Sequence, residues 1–144
     1  MKTLLTLFLL IPSLAWTDDI KYLVCFHWDE KINKIGIHSI GLKLNTNTKE
    51  YSYYHTVKFD GEYKVTQGFS GLDSDNIYMQ NADYITLFVD FNDITIDRKN
   101  LEWWFGTPNN LVLKRGKCDF VDSRKSVFKV LRGILKDNLD LNKI

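Results

Sequence analysis

From residue 20 to residue 118 the sequence alternates apolar and polar side chains with a period of two, in runs rich in β-branched and aromatic residues. Asn, Asp and Gly break these runs at intervals of about 8 to 12 residues. A period of two belongs to extended chain, whose successive side chains point to opposite faces of a sheet. Together the runs and their breakers predict an antiparallel meander of about eight strands, closed as a barrel or packed as a sandwich.

The faces follow run by run. In "IKYLVCFHW", Tyr22, Val24, Phe26 and Trp28 fall on one face and Leu23, Cys25 and His27 on the other. In "IGIHSIGLKLN" the apolar phase moves from Ile35 and Ile37 to Ile40, Leu42 and Leu44, beside Gly36 and Gly41. Such a shift predicts a bulge or bend. "EYSYYHTVKF" sets Tyr51, Tyr53, His55, Val57 and Phe59 against Ser52, Tyr54, Thr56 and Lys58. "DG" then signals a hairpin into "EYKVTQGF". The polar, Gly-rich run 68–76, "GFSGLDSDN", is the longest expected loop and the expected rim of a site. "NIYMQ", "DYITLFVDF", "ITIDR", "LEWWFG" and "LVLKRGKCDFV" complete the strands.

After Asp122 the period changes. Val127, Val130, Leu131, Ile134 and Leu135 recur at helical spacing, with Asp122 or Ser123 to cap the start, which predicts one amphipathic helix over about 123–138. Gly133 lowers its intrinsic stability, so packing of the apolar stripe on the sheet must supply most of its support.

The first residues, "MKTLLTLFLLIPSLAW", combine one positive charge, an apolar run from Leu4 to Leu14 and small residues near the end. This is the pattern of a secretory signal peptide. Ser13 and Ala15 suit cleavage after Ala15, and Ala15 with Thr17 suits cleavage after Thr17 almost as well. Taking Ala15 makes residues 1–15 the signal peptide and 16–144 a single β-rich domain, secreted or periplasmic. The apolar run, about 11 residues interrupted by Pro12, falls short of the roughly 20 that span a bilayer, so no membrane span is expected after cleavage. Cys25 follows "YLV" and not the small residues that precede a lipidated cysteine.

Two cysteines in an oxidising compartment predict one disulfide, Cys25 to Cys118; no paired Cys-x-x-Cys spacing favours metal ligation. The chain carries 19 Lys plus Arg against 18 Asp plus Glu. Cleavage removes Lys2, leaving 18 to 18, a balance that offers no basic excess for nucleic acid or an anionic membrane.

Candidate chemistry is sparse. His27, His38 and His55 titrate nearest neutrality. If the first hairpin turns at Ile32 and Asn33, His27 lies opposite His38 and Cys25 opposite Ile40, with Asp29 diagonal: a weak metal site, which a turn at Asn33 and Lys34 would destroy. Asp90, Asp93 and Asp97 gather around a hairpin and form an acid and base pair only if folding sets them across a cleft. Ser70, Asp73 and Asp75 in the Gly-rich loop are explained by turn chemistry. No nucleophile elbow, H-E-x-x-H, phosphate loop or dinucleotide fingerprint is present, and no cofactor is called for.

Aromatic residues are abundant: 4 Trp, 7 Tyr and 9 Phe. Most should fill the core. In "LEWWFG", Leu101, Trp103 and Phe105 form an apolar stripe, leaving Trp104 to be covered by the helix or a loop, or offered to a ligand. Trp104, Tyr54 and Trp28 are therefore the candidate ligand-binding residues.

Strands followed by a helix resemble the lipocalin layout in architecture alone, since "FHW" stands where the Gly-x-Trp of their first strand is expected. The expectation is a small secreted or periplasmic binding protein, using an aromatic face or barrel mouth for a small ligand or partner protein. A hydrolase using the carboxylates or histidines, and a structural envelope protein, are the alternatives.

Overall fold

A computed structural model describes residues 20–68, 78–90 and 92–141 of the chain. In it the alternating segment forms β1 (Ile20–Cys25), β2 (Trp28–Asp29), β3 (Lys34–Ile35), β4 (Ile40–Asn45), β5 (Glu50–Phe59), β6 (Glu62–Gln67), β7 (Tyr78–Gln80), β8 (Tyr84–Val89), β9 (Asn92–Asp97), β10 (Glu102–Thr107) and β11 (Asn110–Val121). The helical period becomes α1 (Arg124–Leu141). The signal-like residues 1–15 and most of the Gly-rich run, with Ser70, Asp73 and Asp75, lie outside the described residues.

Nine strands make one antiparallel sheet in the order β6-β5-β4-β1-β11-β10-β9-β8-β7. Beginning in the middle, the chain builds one wing as β4 to β6 and returns through the other as β7 to β11. Six strand steps separate β5 from β8, which would put them about 29 Å apart in a flat sheet. Instead the Tyr51 hydroxyl of β5 donates to the Phe88 carbonyl of β8 at 2.6 Å. The Tyr51 and Tyr78 rings lie 6.3 Å apart. The sheet is therefore curled into a half-barrel, and no ladder joins β6 to β7 among the described residues.

Alternation sorts the sheet into two apolar faces. Leu23, Cys25, Ile40, Leu42, Leu44, Tyr51 and Tyr53 meet Ile85, Leu87, Val89, Ile94, Ile96 and Trp103 inside the curl. On the outer face, Val24 and Tyr54 pack against Val127 and Leu131 of α1, with Val130, Ile134 and Phe128 partly buried around them. Leu135 is also buried. Serine caps the helix: Ser123 Oγ accepts from the Ser126 amide at 3.2 Å. A side chain at Gly41 would strike Val127, whose Cγ1 lies 2.2 Å from the position of a Cβ there, so glycine lets the helix approach β4.

Because β1 and β11 are neighbours, Cys25 stands directly opposite Cys118, and the two are joined in a disulfide across a separation of 93 residues. No described helix is long and apolar enough to cross a membrane.

The first hairpin differs from both expected turns. Cys25 does pair with Ile40, but the tip pairs Trp28 with Ile35, and the turn occupies residues 30–33. Between these ladders two residues on the outgoing strand oppose four on the returning one, and the excess is taken up by a turn at 37–38. This is the bend that the phase shift beside Gly36 announces.

Candidate functional site

The curl leaves a cleft of about 190 Å3 at one end of the half-barrel, where the two wings face each other. Its floor is the end of the inner apolar face: Ile40, Val89, Ile94, Trp103 and Phe105. Its rim is polar, with His38, His55, Asp90, Asn92 and Arg115 among the lining side chains.

Each rim residue arrives by a local device. His55 continues the inward phase of Tyr51 and Tyr53 along β5, and its ring stands edge-on to Tyr53 at 5.2 Å. Burial lowers its pKa, and the Asp90 carboxylate partly opposes that shift. Asp90 occupies the turn between β8 and β9 with φ of 51°, a left-handed conformation that Asp tolerates better than most residues. His38 sits in the turn at 37–38, and Ser39 fixes that turn by donating to the Gly36 carbonyl at 2.9 Å and accepting from the His27 amide at 2.9 Å.

Arg115 arrives by a bulge. Trp103 pairs with Gly116 and Trp104 with Lys114, so Arg115 is the extra residue of β11. Gly116 makes this geometry accessible: its φ is 155°, and a Cβ there would lie 2.1 Å from the Phe26 carbonyl oxygen. That carbonyl instead accepts the Trp103 indole N–H at 2.9 Å, tying the floor of the cleft to the end of β1. A bulge re-aims one side chain out of the ladder's alternation. Here the guanidinium stacks over Phe105, 4.5 Å from the ring centre. Arg115 Nε is buried with no hydrogen-bond partner.

Behind the rim, His27 and His38 rings lie 5.8 Å apart. His27 Nδ1 is buried without a partner. Burial, then Arg115 and His38, push the pKa of His27 down to about 4, while Asp29 pulls the other way. Burial likewise lowers Arg115, against the attraction of Asp29. The cleft and the residues behind it thus gather several groups whose charged forms are disfavoured by desolvation. The two histidines do come together as the first expected register implies, but through the 37–38 turn and not through a ladder pair. Among the described residues no group of three or more His, Cys, Asp or Glu is placed to hold a metal ion.

The three aromatic candidates occupy three separate places. Trp28 is 49% exposed on the β2–β3 hairpin. Trp104 is partly buried on the outer face of β10, with Lys114 Nζ 5.9 Å from its ring centre. Tyr54, expected outside the core, is 2% exposed because α1 covers it, with Phe128 5.2 Å away ring to ring. β5 and β10 are four strand steps apart, about 19 Å along the sheet. The helix therefore buries Tyr54 and packs on β1 and β4 to β6, the opposite wing from Trp104, so the expected helix cover over Trp104 is not what forms.

Asp90 and Asp97 also separate, while Asp93 stays on β9 three residues from Asp90, opposite Phe88. Asp90 lines the cleft, but Asp97 lies at the far end of β9, about 17 Å along the strand, where it accepts the Lys99 amide at 2.8 Å and closes a turn. They do not face one another as an acid and base pair. No family model, curated protein or solved structure matches this chain.

Proposed function

We propose that this chain is a secreted or periplasmic binding module that takes a small ligand in the mouth of its half-barrel. The carrying observation is the cleft itself: an apolar floor of core residues beneath a rim holding His38, His55, Asp90 and Arg115. A few polar groups converging over an apolar surface are what a small-molecule site requires. Its 190 Å3 lies below the roughly 300 to 1,000 Å3 of sites for drug-sized ligands, so the fitting ligand is smaller. Support for an oxidising compartment comes from the signal-like first residues and the Cys25–Cys118 disulfide.

The mouth is favoured over an aromatic face because Trp28, Trp104 and Tyr54 belong to three different surfaces. Native mass spectrometry of protein purified from its own host tests this reading. The expected result is a retained small molecule that is lost from Asn92→Trp, which fills the mouth from an exposed rim position. Retention by a folded Asn92→Trp protein would move the site elsewhere.

A further inference from the structure

Resting on that reading of the mouth, we infer that its ligand is a small organic anion, a carboxylate on a short apolar body, held by the Arg115 guanidinium with His38 on the same rim. Four observations converge on it. The guanidinium carbon of Arg115 lies over the Phe105 ring, 4.5 Å from its centre, which holds the cation at the cleft. Its Nε is buried without a partner, an unusual condition for a donor on a permanently charged group. Among the described residues Arg115 forms no ion pair. The bulge that aims it at the cleft depends on a glycine in a conformation that side chains rarely adopt.

Nε is closed to solvent, so what a ligand in the cleft meets is the end of the guanidinium, whose two terminal nitrogens match the two oxygens of a carboxylate, while Nε–H reports on the group from behind. The floor of Ile40, Val89, Ile94 and Trp103 suits an apolar body and gives little to a bare inorganic ion.

Two carboxylates bear on the sign of the ligand. Asp90 lines the cleft but is exposed on its turn, so water screens it. Asp29 attracts Arg115 from the neighbouring hairpin, yet its Oδ1 accepts the Lys31 amide at 3.0 Å. On the positive side stands Arg115, with the imidazoles of His38 and His55 as polar partners on the same rim. Burial holds His27, His55 and Arg115 below their ordinary pKa values, and an arriving anion relieves that cost.

Three probes of similar size and different charge separate the outcomes: isovalerate, isovaleramide and isoamylamine, titrated into the intact protein while the arginine Nε–H resonances are followed by NMR. Isovalerate should shift the Arg115 Nε–H and bind at least about tenfold tighter than the amide, the range expected of a hydrogen bond to a charged group. Arg115→Met should erase that preference and Arg115→Lys should reduce it, since lysine keeps the charge and loses the fork. The probe comparison needs no variant, so a poorly folding mutant leaves the test intact. Equal or tighter binding of the amide or the amine overturns the anion inference and leaves the mouth reading standing. Silence of all three at the mouth also overturns it, and the mouth reading then stands or falls on the ligand retained in native mass spectrometry.

Discussion

Replacing each of the adjacent tryptophans by alanine separates the two faces of β10. Trp103 is 1% exposed, packs edge-on against Phe105 at 6.2 Å, and donates its indole N–H to the Phe26 carbonyl. A buried tryptophan removes about 150 to 250 Å2 from water, and at about 25 cal/mol per Å2 its truncation costs about 4 to 6 kcal/mol. That agrees with the roughly 3 to 5 kcal/mol of measured large-to-small core truncations. Leaving the Phe26 carbonyl without its donor adds about 1 kcal/mol. Trp104, on the outer face, belongs to neither apolar cluster and pairs with Thr95 and Lys114, so its removal should cost about 1 to 2 kcal/mol. Urea denaturation at unchanged m-value should therefore separate the variants by about 3 kcal/mol, with Trp103→Ala the weaker protein. Equal, severe losses would mean that both faces of this strand are buried alike, and the assignment of inner and outer surfaces would be wrong.

Three further outcomes follow from the packing. Cys25→Ala with Cys118→Ala should lower stability by up to about 4 to 5 kcal/mol, the chain-entropy ceiling for a loop of this length, measured by denaturant unfolding of the double variant. Gly41→Ala should cost about 1 to 3 kcal/mol and displace α1, because Val127 is stiff at χ1 and stands where the new methyl would go; an unchanged melting temperature would refute the close approach. His27 stays neutral in the folded protein down to pH about 4, while an unfolded histidine protonates near 6.5, so stability should fall as pH drops through that window. Solvent screening reduces the effect to about 1 to 2 kcal/mol, and His27→Gln should show a smaller loss between pH 7 and 4.5 than the parent chain, His55 contributing equally to both.

What was legible in the sequence was whatever depends on local period. Alternation groups Leu23 with Cys25, Ile40 with Leu42 and Tyr51 with Tyr53, and marks Trp103 as core; in the fold each group lies together on the inner face with Trp103. The helical spacing marks Val127, Leu131 and Leu135, and they are buried. Two cysteines at opposite ends of the meander meet because β1 and β11 are neighbours. Non-local geometry is what the pattern does not carry. Nothing in "EYSYYHTVKF" or "LEWWFG" says which wing the helix will cover, and it covers Tyr54 and not Trp104.

Arg115 is hidden for a different reason. From Cys118 inward, strict alternation puts Gly116 inside and Arg115 outside, and only the extra residue of the bulge re-aims the guanidinium into the mouth. The glycine beside it, in "KRGKC", was the available signal. Asp90 and His55 stand in the sequence as titratable residues, but their meeting depends on the curl that brings β5 to β8, a contact between strands far apart in the sheet order.

The most direct measurement is amide NMR of the ligand-free protein against protein carrying the molecule it retains from its host. Binding at the mouth predicts shifts concentrated in residues 37–40, 55–56, 89–90, 92 and 94, with Trp103 and Arg115 among them. Shifts centred instead on Trp104 and Lys114, or along α1, with the mouth silent, would contradict it.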